Sequence, residues 1–256
     1  VQKAKLSEQP LLASKDFDLA PSFVVSGDRV VGLRYTVDAE VTHWLDPQLK
    51  AHQATIDELL PATANRVSVA LRPTTPYLLV TSHADTQPEL TYLFNTQTRK
   101  LSRVGTARPD VKPAQMAQMD LVRIKARDGL EIPTWVTLPR GAEKLDKKNL
   151  PLVVLVHGGP NLRGHAWGWE PDAQFLASRG YAVIEPEFRG SKGYGAKHFK
   201  AGWKQWGLGM QTDVADVTRW AIAQGIADPG RIAIMGGSYG GYAAMMGLVT
   251  DPDLYR

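Results

Sequence analysis

Arg231-Ile232-Ala233-Ile234-Met235-Gly236-Gly237-Ser238-Tyr239-Gly240-Gly241-Tyr242 is the stretch on which the reading of this chain turns. Arg231–Met235 is an apolar run suited to a buried strand, and Tyr239–Val249 reads as a helix rich in small residues. Between them stands Gly-x-Ser-x-Gly. A serine in such a strand-to-helix turn sits in strained backbone, and its neighbours must be small so that strand and helix pass closely. The hydroxyl is then presented at the carboxyl edge of a sheet. The helix N-terminus behind it offers amide donors and the positive end of a dipole. Ser238 is therefore the candidate nucleophile, and the Tyr239 N–H is the first candidate donor to an oxyanion. The competing reading is a glycine-rich turn that packs tightly or holds a phosphate. Against a phosphate loop, no Lys follows the glycines and no Gly-x-x-x-x-Gly-Lys pattern is present.

Upstream, Leu152–Val156 is a continuous apolar strand that ends in His157-Gly158-Gly159-Pro160. Glycines there let the backbone approach a substrate oxygen, so Gly159 N–H is the second candidate oxyanion donor, with Gly158 next. The bland alternative is a tight loop closing a buried strand. His157 is read as shaping that loop, because in the Ser, acid, His order of these hydrolases it comes too early to be the base. A helix is predicted over Pro171–Arg179, a strand over Tyr181–Ile184, and a helix over Met210–Gln224 with Val214, Val217 and Ala221 on one face. Strands alternating with helices mean βαβ units and a parallel sheet.

The chain before this half reads differently. Asp28–Tyr35 with Val41–Leu45 suggests a hairpin, followed by strands at Val67–Leu71, Tyr77–His83, Leu90–Asn95 and Arg99–Val104. Turns are expected at Arg72-Pro73-Thr74-Thr75-Pro76, at Asp85–Pro88 and at Thr96–Thr98. Four short strands in this span are the size of one β-propeller blade, or equally a small antiparallel sheet. Gly105–Gln118 reads as a linker, and Leu121–Ala126 with Ile132–Leu138 as a hairpin across Asp128-Gly129. Gly141–Asn149 reads as a charged surface loop. The expected domains are thus residues 1–118, all-β segment plus linker, and residues 119–256.

Composition narrows the classes. Apolar residues make up 43% of the 256 residues, enough for a core, which excludes a disordered or collagen-like chain. The net charge of +4 comes from interspersed signs, so no nucleic-acid arm is expected. The absence of Cys excludes disulfides, zinc–thiolate sites and thiol nucleophiles. No apolar run approaches the ~20 residues of a membrane helix. Residue 1 is Val, the first Met is Met116, and Val1–Pro10 has no hydrophobic signal core. We therefore read the chain as processed or as an internal piece of a longer one.

Three segments together carry a resemblance: His157–Pro160, Phe188-Arg189-Gly190-Ser191-Lys192-Gly193-Tyr194-Gly195, and Gly236–Tyr242. In order and spacing they resemble the prolyl oligopeptidase family of serine peptidases, most of all its acylaminoacyl-peptidase branch. The resemblance covers about Leu121 to Arg256. It implies an α/β-hydrolase fold, here incomplete, after an all-β segment that would be the last blades of a β-propeller. It also implies cleavage of short peptides with Ser238 as nucleophile, Tyr239 and Gly159 amides as oxyanion hole, and no metal or organic cofactor. The triad Asp and His would lie beyond Arg256, since the 18 residues after Ser238 hold Asp251 and Asp253 but no His. All six histidines (His43, His52, His83, His157, His165 and His198) precede the serine. Such a piece alone is expected to be inactive.

The rival functions are an α/β-hydrolase esterase and a non-catalytic binding chain. Trp167 and Trp169 are read as lining a substrate pocket or packing in the core. Arg189 is read as holding a substrate carboxylate or, by preference, hydrogen-bonding within its own loop. Asp213 and Asp216 are read as a solvated helix face, and His165 and His198 as loop residues. Expected partners are short peptides, with neither nucleic acid nor membrane; a homo-oligomer stays open, and cytoplasm is the default location.

Overall fold

The computed structural model of the chain describes residues 9–72, 74–142 and 149–256. Most of the polar Val1–Pro10 stretch, Pro73 of the first expected turn and residues 143–148 of the charged loop lie outside the described residues. The described residues form three sheets.

The first sheet is an antiparallel triplet of β1 (Ser22–Ser26), β2 (Arg29–Thr36) and β3 (Glu40–Trp44). The expected hairpin is the β2–β3 pair, with Gly32 opposite Trp44. A four-stranded meander follows, of β4 (Ala64–Ser68), β5 (Tyr77–Ala84), β6 (Gln87–Asn95) and β7 (Lys100–Thr106). Its first strand starts three residues earlier than the pattern suggested. No ring is closed among the described residues.

Between these sheets lies an element the strand-based reading did not contain, the helix α1 (Pro47–Leu59). Its start is encoded locally: Asp46 accepts from the Gln48 and Leu49 amides at 2.9 and 3.1 Å, and Pro47 occupies the first turn. Ile56 of α1 is fully buried and packs with Val31, Trp44, Val67, Val80 and Phe94, so one helix closes the core of both antiparallel sheets. Burying an Ile side chain contributes about 2 kcal/mol.

The third sheet has strands β8 (Met119–Lys125), β9 (Glu131–Thr137), β10 (Leu150–Val156), β11 (Ala182–Pro186) and β12 (Ala227–Gly236), in the order β12-β10-β11-β9-β8. β10 runs parallel to both β11 and β12, and β9 pairs antiparallel with β11 and β8. Helices α4 (Gly209–Ala223) and α5 (Tyr239–Thr250) cover one face, where Val214, Val217, Ala221 and Ala243 meet Leu152, Val154 and Val156. On the other face α2 (Pro171–Ala177) sets Ala173 and Leu176 against Leu155 and Val183. This double cover explains why Leu152–Val156 is apolar without alternation. A short helix α3 (Ala196–Ala201), absent from the sequence reading, completes the set.

Side chain and backbone pairs join the sheets. Buried Gln174 of α2 accepts the Ala117 N–H at 2.9 Å and donates to Asp85 O and Ala117 O at 2.9 and 2.7 Å. Asp85 in turn accepts the Met119 N–H at 2.8 Å. The blade-sized sheet is thus fastened to the mixed sheet where β8 begins.

Candidate active site

β12 ends at Gly236 beside Val156, and α5 begins three residues later. Only Gly237 and Ser238 make the turn. Ser238 is exposed and takes φ +55° and ψ −118°, a left-handed conformation that costs a non-glycine residue about 1–3 kcal/mol. The turn is held by the Gly240 N–H to Gly237 O at 2.9 Å and the Tyr242 N–H to Ser238 O at 3.1 Å. Two of the glycines are dictated by β10. A Cβ at Gly236 would stand 2.3 Å from Val156 O, and one at Gly240 would stand 2.0 Å from the same atom.

The loop after β10 comes back against this turn. A Cβ on Gly158 would lie 3.1 Å from Gly237 O and 3.4 Å from the Ser238 Cβ. The structure therefore brings Gly158, Ser238 and Tyr239 together at the carboxyl edge of β10 and β12. Gly159 takes φ +65°, where Leu162 leaves no room for a side chain. Among the described residues no histidine ring is hydrogen-bonded to Ser238. His157 is buried, with Nδ1 2.9 Å from Gly158 O and Nε2 3.1 Å from the Ser191 hydroxyl. Its ring stacks on Phe188 at 4.5 Å, and burial lowers its pKa, so it is neutral at pH 7. His198 Nε2 lies 3.1 Å from Phe188 O.

Aromatic rings continue outward from the turn. Tyr239 packs between Phe188 (5.3 Å) and exposed Trp206 (5.2 Å), with Tyr242 beside it at 5.6 Å. Trp167 and Trp169 are half-buried, Trp167 against the antiparallel sheets and Trp169 against the segment that joins them to β8. The Trp167 N–H donates to Asp38 O at 2.8 Å and its ring lies 6.4 Å from His83, while Trp169 Nε1 reaches Met116 Sδ at 3.4 Å.

Arg189 is committed to carboxylates. Its Nε and Nη2 donate to Asp213 at 2.8 and 2.7 Å, its backbone N–H donates to Asp213 at 2.8 Å, and Asp128 lies 2.8 Å away. These two carboxylates raise the guanidinium pKa further. The expectation of a solvated face at Asp213 and Asp216 is overturned. Asp213 is fully buried, and Asp216 takes both Nε and Nη2 of Arg127 at 2.6 to 3.0 Å. At i and i+3 the two aspartates share a face, Asp213 on Arg189 and Asp216 on Arg127 of the hairpin tip, while Val214 and Val217 face the sheet. Removing one charge of a buried pair strands the other. Asp213→Asn is accordingly expected to lower stability by about 3 kcal/mol. Urea unfolding checks this, and a midpoint equal to the parent's would contradict it.

Sequence reasoning also missed Glu185 and Glu187, both fully buried at the end of β11. Their signal was present, since two glutamates in an otherwise apolar strand need partners. Among the described residues no group of three His, Asp or Glu side chains is placed to hold a metal ion, and no helix is long and apolar enough to cross a membrane.

A serine on a tight turn between a parallel strand and a helix, with a glycine loop from the next strand against it, has the shape of the nucleophile elbow of α/β-hydrolases. Comparison with known proteins places the chain by family and fold. Residues 167–256 match the prolyl oligopeptidase family. Over 217 residues the chain is 35% identical to dipeptidyl aminopeptidase BIII of Pseudoxanthomonas mexicana, covering 82% of this chain and 31% of that protein. Over 105 residues it is 32% identical to the acylamino-acid-releasing enzyme of Arabidopsis thaliana, covering 41% of this chain and 14% of that protein. Among solved structures, one from a study of two prolyl endopeptidases superposes with a TM-score of 0.70 at 21% identity, over 94% of this chain and 35% of that one. The chain belongs to the prolyl oligopeptidase family, with that family's α/β-hydrolase sheet preceded by β-propeller-type antiparallel sheets. It spans less than a third of the length of these curated relatives.

Proposed function

We propose that this chain is part of a serine peptidase that cleaves short peptides through an acyl-enzyme at Ser238. In this reading residues 119–256 belong to its catalytic domain and residues 1–118 to a propeller segment that screens substrates. The observation that carries it is Ser238 itself, exposed at φ +55° on the N-terminus of α5 with Gly158 against it. The Ser238 Oγ attacks the scissile carbonyl, its proton passes to a base and then to the leaving amine, and the C–N bond breaks. Water then attacks the ester and returns the proton to Oγ. The Tyr239 and Gly159 amides, with Gly158 next, take the negative charge of the two tetrahedral intermediates.

In the Ser, acid, His order of these hydrolases the base follows the serine, and no histidine follows Ser238 among residues 1–256. The names of the relatives favour peptides as substrates, and release of N-terminal dipeptides is the first activity to assay. The test uses the polypeptide isolated from its native source, treated with a fluorophosphonate probe. A single adduct mapped to Ser238 and competed by peptides is the expected result. An adduct elsewhere on the folded protein, or ester hydrolysis with no peptide hydrolysis, would overturn the peptidase reading.

A further inference from the structure

Two carboxyls at the end of β11 reach into the loop that carries the glycines at Ser238. Glu185 and Glu187 are two positions apart, so strand alternation sets both on one side. Both are fully buried. Glu187 Oε2 accepts the Gly164 N–H at 2.9 Å, and Oε1 accepts the His165 N–H at 2.6 Å. Glu185 Oε1 lies 3.3 Å from His165 Nε2. His165 is therefore gripped at its main chain by Glu187, while Glu185 stands against its ring without a hydrogen bond to it. Glu187 also lies 3.7 Å from His157 Nε2, at the start of the same loop. The far side of the loop is tied to the first sheet, through Arg163 to Val37 O and the Trp167 N–H to Asp38 O.

Burying a carboxyl without a full set of partners is costly, and a well-packed apolar residue would serve the sheet at least as well. The β11 ladder with β9 and β10 uses neither side chain. What Glu187 does hold is the span 157–165, whose Gly158 lies against Ser238.

We propose that Glu187, backed by Glu185, is a positioning residue that fixes the span 157–165 so that the Gly158 and Gly159 amides stay aligned on Ser238. This rests on the reading of Ser238 as nucleophile and of those amides as oxyanion donors. A displacement of an ångström at such donors costs about 100-fold in rate.

The charges around the clamp give it a pH dependence. Burial pushes Glu187 up to about 7, against the pull of the Gly164 and His165 amides, Arg163 and the Ser191 hydroxyl. Burial holds Glu185 well above the usual carboxylate range, helped by Glu170, Glu187 and Asp172. Burial and His157 push His165 down to about 4, and His157 is lowered as well. Tyr194, raised by burial and by Glu187, stays protonated. Glu187 thus changes charge near neutrality. Burial in the closed loop favours its protonated form, so ionisation above neutral pH favours an opened, solvated loop and weakens the clamp.

Hydrogen exchange of residues 157–167, corrected for intrinsic rates, tests this in the native-source polypeptide and its recombinant E187Q variant. In the parent, protection is expected to fall about ten-fold from pH 6 to pH 8, because Glu187 holds its proton more tightly in the closed loop than in an opened one. In E187Q it is low and flat with pH, and kcat falls about 100-fold while KM changes little. Equal protection in the two proteins, or an unchanged kcat in E187Q with a loosened loop, would overturn the proposal. If E187Q does not fold, the parent's pH series decides alone, and a flat series overturns the clamp. Turnover surviving Ser238→Ala would instead overturn the nucleophile reading, whatever the loop does.

Discussion

Ser238→Ala is expected to abolish peptide hydrolysis by the native-source polypeptide, with kcat falling by about six orders of magnitude where the serine is activated by a complete triad. The size of the effect follows from the geometry. The Tyr239 and Gly159 amides, the aromatic surface around Trp206 and the loop at Gly158 are untouched by the change. What remains is the rate that oxyanion donors and binding supply alone, about 10³–10⁴ over water. Substrate affinity is expected to hold, because Oγ makes no ground-state contact that the substitution removes. Stability is expected to hold too, since alanine at φ +55° is as strained as serine. Ser238→Gly removes that strain and is expected to melt higher, by about 1 kcal/mol in stability, while being equally inactive. Initial rates on a dipeptidyl chromogenic substrate, read beside thermal melts, check both halves. Retained turnover in a folded Ser238→Ala protein would remove the nucleophile from this site. A Ser238→Gly variant less stable than the parent would remove the strain argument.

The parts of this molecule that were legible in the sequence are those set by local constraint. The strand of Leu152–Val156, the glycines after it and the turn at Ser238 each follow from a period, a run length or a close approach within a few residues. Val214, Val217 and Ala221 showed their face by spacing alone, and all three are in the core. Contacts between distant segments were not legible. A helix face bearing Asp213 and Asp216 reads the same whether it meets water or Arg189 and Arg127, and only the tertiary placement of the Asp128 hairpin decides. Glu185 and Glu187 were passed over because β11 was judged by its apolar period, although burial of charge is the more informative signal. The helix α1 falls in residues 46–66, to which the sequence reading assigned no element, although Asp46-Pro47 is a local start signal. Propensity and capping are independent of neighbouring pattern, and here the cap was the better guide.

Gly240→Ala is expected to lower stability by about 4 kcal/mol or more, above the 1–3 kcal/mol of ordinary overpacking. The added Cβ would stand 2.0 Å from Val156 O, 2.9 Å from Val156 C and 3.3 Å from His157 O, all backbone atoms. No rotamer change relieves backbone contacts of this kind. Either α5 must lift from β10 or the Val156 carbonyl must move. Val156 is paired in register with Gly236, so moving it disturbs the β10–β12 ladder. Its neighbour His157 leads straight into Gly158, which lies on Gly237 O, so the same shift displaces the loop from Ser238. Stability and labelling of Ser238 are therefore expected to fall together. At this chain length the loss corresponds to about 10 °C in melting temperature. Gly237→Ala supplies the internal control: nothing lies within 4 Å of its Cβ position, its φ is not positive, and a change within about 1 kcal/mol is expected. A Gly240→Ala protein melting within 2 °C of the parent, or a Gly237→Ala protein as unstable as Gly240→Ala, would mean that the close passage of α5 over Val156 does not set the shape of this turn.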